Sequence, residues 1–510
     1  MFTKNLASFT KQFKARDSLV TILVNNNEHI GTLHNFFWLL SLIYTVSTIG
    51  DYFLNKNHKY DELIEFAGKI IEKNLNDLSN GLLIWSIMFI FVLFVHYSLV
   101  LLNNFLQFRL LITIIDDNVD QSTTNIENGV ESNNIVIFKQ FQSKQQQSRF
   151  YQQILLDIIY AIFIVAGLLM FSTIAILIYD FHFIFSIIIM AEMFRLIMKS
   201  HSFYIENRNL QITDEQLQLL IRNRKQSFTN QSKNMWTIFQ IWQHQSSPQP
   251  QFTAWLYFLF APTLIYRHSY PRTKSIRWKF IVNYSLQLLF TLIFWCYLNM
   301  AIIIKHNLHQ LNLHKYYWHD MFGHLFNIWI MGIFNYYCLF YTIFHLWHNI
   351  TGELLRFADR HYYDSFWNVN SLKQYYRQWN IIVQEWIYYY VYLSIHQWIR
   401  NHFLTTIFVT ILSAFVHEFI IALSLGFCFP LLFLLFGFGG FICDMINHHN
   451  IGNKRWQNMF FIFQFHLGFG LMTTLYLLEG LSRINCPIMT TEENLQQYFI
   501  PRMLTCITIK

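Results

Sequence analysis

The sequence predicts an all-α protein that crosses a membrane about nine times, and its composition and apolar pattern support this. Hydrophobic residues make up 54% of the 510 residues, and charged residues make up only 13%. A soluble domain carries about 25% charged residues. The apolar residues also gather in runs of about 20, the length that a helix needs to cross a bilayer. The composition is therefore that of a polytopic membrane protein.

Nine apolar runs can be read as spans, and the boundary between the third and fourth is weak because these two nearly merge. The runs cover about residues 33–54, 82–103, 153–172, 174–197, 279–304, 323–348, 402–425, 427–446 and 457–479. An acidic, asparagine-rich and then glutamine-rich stretch, about 116–150, is typical of a poorly ordered linker. We expect an N-terminal segment, 1–32, followed by one transmembrane domain, 33–510.

The N-terminal residues lack the short apolar core of a cleaved signal peptide. Phe2, Leu6, Phe9 and Phe13 recur at helical spacing with lysines between them. This spacing indicates an interfacial amphipathic helix or an organelle-targeting segment, and a frayed tail is the simpler alternative.

The distribution of lysine and arginine orients the spans. These residues concentrate before the first span and between spans four and five, six and seven, and eight and nine. With nine spans, all of these stretches face the cytosol if the N-terminus does. The tail, 480–510, then faces the lumen, where Cys486 and Cys506 could pair as a disulfide. The net charge of +7 is spread over loops, so we expect no nucleic-acid partner.

The segment 349–400 is aromatic and amphipathic, and it is too polar to span a bilayer cleanly. We expect it to form helices that lie at the cytosolic face or dip into it. Asn380 then lies close to the membrane surface.

The stretch Ser413-Ala-Phe-Val-His417-Glu418 lies in the middle of the seventh span. A histidine and a carboxylate are costly at that depth. One interpretation is a general base held away from water, and the other is a buried histidine that bonds a neighbouring helix. We expect Glu418 to point away from His417 and to pair with another span. The histidine spacing of a zinc-protease helix is absent, and we expect no metal.

Four blocks of sequence carry a family resemblance. They are Arg195–Phe203 with Glu206 and Asn207, Tyr257–Arg267 with Ser269–Arg272 and Ile276–Trp278, Leu355–Tyr392, and Ser413–Glu418 with the cysteine-containing tail. On these blocks the chain resembles the sterol O-acyltransferase branch of the membrane-bound O-acyltransferase superfamily, over about residues 190–510. Diacylglycerol acyltransferases share the last two blocks but match less well at Ile265–Arg267.

The resemblance implies transfer of a long-chain fatty acyl group from acyl-coenzyme A to a sterol hydroxyl. It also implies the endoplasmic reticulum membrane, a homodimer or tetramer, and no cofactor. His417 would accept the proton of the hydroxyl. Asn380 would donate a hydrogen bond to the thioester oxygen, or would orient the imidazole instead.

Coenzyme A carries phosphates, so basic residues on the cytosolic side are expected to hold it. Arg377 and Arg400 are the candidates, although each could instead reach lipid phosphate. The expected ring partners are Tyr376, Trp379 and Tyr392. Ser413 could tune the imidazole, line the acyl tunnel or only pack against a helix. The remaining expected site residues are Trp367 and Asn368.

The chain departs from the family at three positions. The family block Phe-Tyr-x-Asp-Trp-Trp-Asn here has Ser365 in place of the carboxylate and Phe366 in place of the first tryptophan. Gln384 stands where the family has a histidine. These departures keep two alternatives open, a diacylglycerol or long-chain-alcohol acceptor and a catalytically silent protein that binds lipid or scaffolds a complex.

Overall fold

The computed structural model describes residues 11–55, 58–122, 154–207, 252–305, 318–439, 454–485 and 501–502. These residues form helices and connecting loops, and no strand is found among them, which confirms the all-α prediction. The helices are α1 Leu19–Asn26, α2 Glu28–Asn55, α3 His58–Phe91, α4 Tyr97–Ser122, α5 Ile154–Tyr179, α6 Phe183–Asn207, α7 Phe252–Phe260, α8 Trp278–Lys305, α9 Trp318–Phe340, α10 His348–Leu354, α11 Leu372–Trp379, α12 Ile381–Trp386, α13 Leu393–Ile399, α14 His402–Leu425 and α15 Lys454–Asn485.

Short π-helical turns lie within or between several of these helices. One joins α3 to α4, one lies inside α5, one joins α9 to α10, one joins α12 to α13, and one follows α14. Their bounds are Val92–His96, Val165–Met170, Tyr341–Trp347, Ile387–Tyr392 and Phe433–Gly439.

Six helices in the described ranges are long and apolar enough to cross a membrane. They are Ile71–Leu106, Ile154–Tyr179, Trp278–Asn299, Ile328–Leu354, His402–Leu425 and Arg455–Arg483. Seven of the predicted spans overlap these helices, and two of the seven, the third and the fourth, overlap the same helix, Ile154–Tyr179. The predicted first span falls within α2 and most of the fourth falls within α6, both of which are outside this set, and the eighth runs beyond the described residues after 439. The count of nine stays a prediction.

The predicted break at residue 173 is wrong. Helix α5 continues to Tyr179, and the chain turns at Asp180, which has a left-handed backbone with φ 45°. The carboxylate of Asp77 accepts the backbone N–H of His182 at 2.8 Å. Asp180 and His182 are the polar residues in this apolar region, and the second is held by a contact more than 100 positions away, which the apolar pattern could not indicate.

Two other predictions are corrected in part. Residues 11–18 are extended, so the predicted amphipathic helix does not include Phe13. Helix α4 runs to Ser122, and it therefore includes the first residues of the predicted linker 116–150. The rest of that linker and residues 1–10 lie outside the described residues.

The chain divides into two compact units. One consists of Leu82–Ile178 and Ala191–Ser269, and within it α6 closes the carboxyl end of α7. Arg195 donates to the carbonyl of Leu259 at 2.6 Å, and buried Lys199 donates to the carbonyls of Phe258 and Ala261 at 2.5 and 2.6 Å. Cations that bond the last carbonyls of a helix satisfy groups that have no partner within it.

The other unit consists of Met1–Gly81, Tyr179–Met190 and Tyr270–Lys510. Here α9 packs along α15. A Cβ on Gly470 would meet the ring of Trp329 at 1.4 Å, so glycine is required for this approach. The indole of Trp329 also donates to the carbonyl of His466 at 2.8 Å. The expected catalytic residues all lie in this unit.

Candidate active site

His417 lies on α14, fifteen positions after the helix begins at His402. At 1.5 Å per residue this places it about 22 Å along the helix. Its Nδ1 lies 2.7 Å from the carbonyl oxygen of Ser413, and its side chain is exposed in the single chain. A carbonyl can only accept, so Nδ1 carries the proton and Nε2 of the neutral ring has a lone pair. The lone pair on Nε2 is therefore the one that can accept a proton.

Glu418 is buried on another face of α14. Its carboxylate accepts the hydroxyl of Tyr476 on α15, at 3.0 and 3.1 Å, and the backbone N–H of Phe433 at 3.0 Å. These contacts confirm that Glu418 pairs with another span. They also fix the rotation of α14, and with it the direction in which His417 points.

Asn380 separates α11 from α12. Its side-chain oxygen accepts the backbone N–H of Val383 at 3.1 Å, so the residue is the N-cap of α12. The cap uses the oxygen of the amide and leaves its NH2 group as a donor. The expected bond from Asn380 to a thioester oxygen would use this NH2 group, and it stays a prediction.

A chain of aromatic contacts leads from α11 to His417. The ring of Tyr376 lies 4.9 Å from that of Phe436, and the ring of Phe436 lies 5.6 Å from the imidazole of His417. The structure thus brings Tyr376 and His417 to the same part of the unit. Phe436 was not predicted as a site residue, and its position in an apolar run gave no signal for it.

Trp379 belongs to a packed aromatic cluster. Its indole stacks on Tyr336 at 4.9 Å and contacts Phe344 at 5.0 Å and Phe366 at 5.5 Å. Tyr336 in turn shares a hydrogen bond with Tyr375 at 2.8 Å. This cluster supports α11 from the side of α9 and α15.

Tyr392 lies at the end of the π turn before α13. Its hydroxyl is 3.0 Å from Nδ1 of His402, and its ring stacks on His396 at 5.8 Å. Rings of His396 and His402 stack at 4.1 Å. Arg400, beside them, is exposed and has a left-handed backbone with φ 54°. These side chains gather where α13 meets α14.

The other expected site residues lie at the surface or beside the histidine. Arg377 is exposed in the last turn of α11, and Trp367 and Asn368 are exposed in the loop before it. Ser413 supplies the carbonyl that orients His417. Cys486 and Cys506 lie outside the described residues, so their pairing stays a prediction.

A buried ion network beside the site was not predicted. Glu353 is fully buried and accepts Arg360, which is 1% exposed, together with Nη2 of Arg277 at 2.9 Å. His345 is also buried, and its Nδ1 lies 2.7 Å from the hydroxyl of Tyr363. Burial raises the pKa of Tyr363, so its phenol stays neutral. The sequence feature that could have indicated this network is the density of charged residues in the segment 353–360.

A second unpredicted feature is the segment 11–18, here called the N-terminal strap, which contacts the segment 353–360. The backbone N–H of Arg16 donates to the carbonyl of Ala358 at 2.9 Å, and the N–H of Arg360 donates back to the carbonyl of Arg16 at 3.0 Å. The guanidinium of Arg16 pairs with Asp359 at 2.7 Å. Lys11 pairs with Glu385 on α12.

Comparison with known proteins shows the family of this chain. The family model described as MBOAT, membrane-bound O-acyltransferase family, matches residues 174–482. Sterol O-acyltransferase 1 of Mus musculus is 32% identical over 321 residues, covering 62% of this chain and 54% of the relative. Sterol O-acyltransferase 2 of Mus musculus is 33% identical over 283 residues, covering 54% and 52%.

Sterol O-acyltransferase 2 of Homo sapiens is 32% identical over 243 residues, covering 47% of this chain and 46% of the relative. The chain thus spans about half the length of the curated relatives it matches. The family model covers more than half of this chain, from α5 to the end of α15, and includes both Asn380 and His417. The protein is a member of the membrane-bound O-acyltransferase family.

Proposed function

We propose that this protein transfers a long-chain fatty acyl group from acyl-coenzyme A to the hydroxyl of a sterol, in the endoplasmic reticulum membrane. The observation that carries the proposal is the bond from Nδ1 of His417 to the carbonyl of Ser413, which leaves Nε2 as a base. The choice of acceptor and compartment rests on similarity to sterol O-acyltransferases.

The proposed reaction is a direct transfer. Nε2 of His417 takes the proton of the acceptor hydroxyl while its oxygen attacks the thioester carbonyl carbon. The carbon–sulfur bond then breaks, and the imidazolium returns the proton to the leaving thiolate. The products are a steryl ester and free coenzyme A, and neither a metal nor an oxidant is needed to balance the reaction.

Asn380 would stabilise the charge that develops on the thioester oxygen. Its amide NH2 is the donor, because its oxygen is held by the N–H of Val383. Removal of one such donor typically lowers a turnover rate by about 10²–10³-fold.

The cytosolic side would hold the coenzyme. Arg377 and Arg400, which are both exposed, would bind its phosphates, and the rings of Tyr376 and Tyr392 would contact its adenine or pantetheine. Trp367 and Asn368, which are exposed in the loop before α11, would also contact the coenzyme. A homodimer or tetramer belongs to the same proposal.

The test uses the full chain in membranes from cells that lack neutral-lipid acyltransferases. Labelled oleoyl-coenzyme A is supplied with sterol, diacylglycerol and hexadecanol as competing acceptors. His417→Ala is compared with wild type and with His29→Ala, which changes an exposed histidine at the start of α2. We expect labelled steryl ester from wild type and His29→Ala, and none above background from His417→Ala.

The other outcomes separate the alternatives. Triacylglycerol or wax ester in place of steryl ester would keep the chemistry and overturn the acceptor. Equal product from His417→Ala would overturn the base. If folded wild-type protein binds oleoyl-coenzyme A but makes no ester, the lipid-binding or scaffold alternative replaces the enzyme.

A further inference from the structure

The ion pair between Lys11 and Glu385 joins the N-terminal strap to α12. The two side chains are only 12% and 22% exposed. The ammonium of Lys11 also lies 4.8 Å above the ring of Phe13. Burying this pair removes most of the hydration of both charges. The cost of this desolvation can offset the attraction between the charges, so a gain in folding stability is weak as the explanation for the pair.

The strap that carries Lys11 is itself anchored. Phe13 packs edge-on against Tyr270 at 5.1 Å and against Phe357 at 6.2 Å. Arg16 adds two backbone hydrogen bonds and a contact with Asp359. The strap is therefore fixed to the loop 357–360 over most of its length, and Lys11 extends from it toward α12.

Glu385 lies on the same short helix that Asn380 caps. The backbone N–H of Ile381 donates to the carbonyl of Tyr362 at 3.0 Å, which holds the beginning of α12. The pair with Lys11 holds the same helix about one turn later. Two contacts on one turn fix both the position and the rotation of α12, and thus the direction of the Asn380 amide.

Glu385 and Asn380 use different groups of α12. The carboxylate of Glu385 is on the face of α12 that meets the strap, whereas the side-chain oxygen of Asn380 accepts the N–H of Val383. Burial raises the pKa of Glu385, and Lys11 partly reverses that effect. Without the lysine, the carboxylate would take a proton or turn to solvent. Either change removes one of the two contacts that hold α12.

We propose that Lys11 and Glu385 are positioning residues that hold the Asn380 amide in its catalytic orientation. This inference rests on the proposed function, and it adds the N-terminal strap to the machinery of acyl transfer. Neither residue touches the substrate; both act through α12. The strap thereby couples the segment before the first helix to the turnover rate.

The test compares Lys11→Met with Lys14→Met. Lys14 is on the same strap, but its side chain is exposed, and only its backbone N–H contacts Asp359. In the steryl-ester assay we expect Lys11→Met and Glu385→Gln to lower kcat about tenfold, with KM for oleoyl-coenzyme A within about twofold of wild type. Lys14→Met should match wild type. The reversed pair, Lys11→Glu with Glu385→Lys, should recover kcat to within about threefold.

A second readout does not depend on activity. Hydrogen–deuterium exchange at the amide of Val383 reports the cap that Asn380 makes. We expect faster exchange there in Lys11→Met than in wild type and Lys14→Met. Equal exchange and equal kcat in the two lysine variants would overturn the proposal while leaving the proposed function intact. If wild type forms no ester, the proposed function fails, and the exchange result alone decides whether Lys11 positions α12.

Discussion

We propose that Asn380 performs two tasks with one amide, and substitution can separate them. Its oxygen caps α12 by accepting the N–H of Val383 at 3.1 Å, and its NH2 remains a donor for the proposed bond to the thioester oxygen. Asn380→Asp keeps an oxygen at the cap and removes the donor. Asn380→Ala removes both. The two variants should therefore agree in activity and differ in the order of α12.

The expected magnitudes follow from this division. Aspartate is as good an N-cap as asparagine, whereas alanine costs about 1 kcal/mol at such a position. Helix α12 continues through the π turn into α13, so this cap serves an uninterrupted helix from residue 381 to 399. Loss of one donor to a developing oxyanion costs about 3–4 kcal/mol, or about 10²–10³-fold in kcat.

The assay combines turnover with hydrogen exchange. Both variants should lose about 10²–10³-fold in kcat for steryl ester. Exchange at Val383 should stay near the wild-type rate in Asn380→Asp and rise about fivefold in Asn380→Ala, the change that about 1 kcal/mol produces. An Asn380→Asp enzyme with near wild-type kcat would refute the donor role. In that case the residue would act only as a cap.

Two further predictions concern charged groups near the site. Glu353→Gln leaves Arg360, which is 1% exposed, without its anionic partner, so we expect a loss of about 3–5 kcal/mol, measured by thermal unfolding in detergent; an unchanged unfolding temperature would contradict this. Burial raises the pKa of Glu385, so folding favours its protonated form, and the charged form costs stability above the folded pKa. As pH falls through that pKa, the pair with Lys11 is lost and the wild-type kcat should converge on that of Glu385→Gln. A constant ratio of the two kcat values from above neutrality down to about pH 4, below the ordinary pKa of glutamate, would show that the charge has no role. The charged groups around this carboxylate are Lys11, Arg16 and Asp359.

The helix that carries His417 could be predicted to the residue, because the sequence features that define it are local. The predicted span 402–425 coincides with α14. The side chain of Asn401 caps the helix by accepting the N–H groups of Phe403 and Leu404, at 2.9 and 3.2 Å. Gly426 ends it with φ 74°, a conformation that glycine adopts without strain. Caps next to an apolar run therefore define such a span from sequence alone.

The N-terminal strap could not be predicted in the same way, because its partners are remote in sequence. Arg16 pairs with Asp359 across 343 positions, and Lys11 pairs with Glu385 across 374. The regular spacing of phenylalanines favoured a helix, but Phe13 instead packs against Tyr270. Tertiary contacts overrode the local periodicity here. Likewise, the sequence predicted that Asn380 donates to the thioester oxygen or orients the imidazole, and it did not indicate that the oxygen of Asn380 caps α12.

Two departures from the family pattern, Phe366 and Gln384, lie in the packing around α11 and α12. Phe366 is buried in the aromatic cluster, with its ring 4.5 Å from Phe340 and 5.5 Å from Trp379. A tryptophan there would need more volume and a partner for its buried N–H. Gln384 keeps its helical bond to the carbonyl of Asn380 at 3.0 Å. Because Phe366 packs against Trp379 of α11 and Gln384 is part of α12, we expect substitutions at these two positions to act through the packing of the two helices.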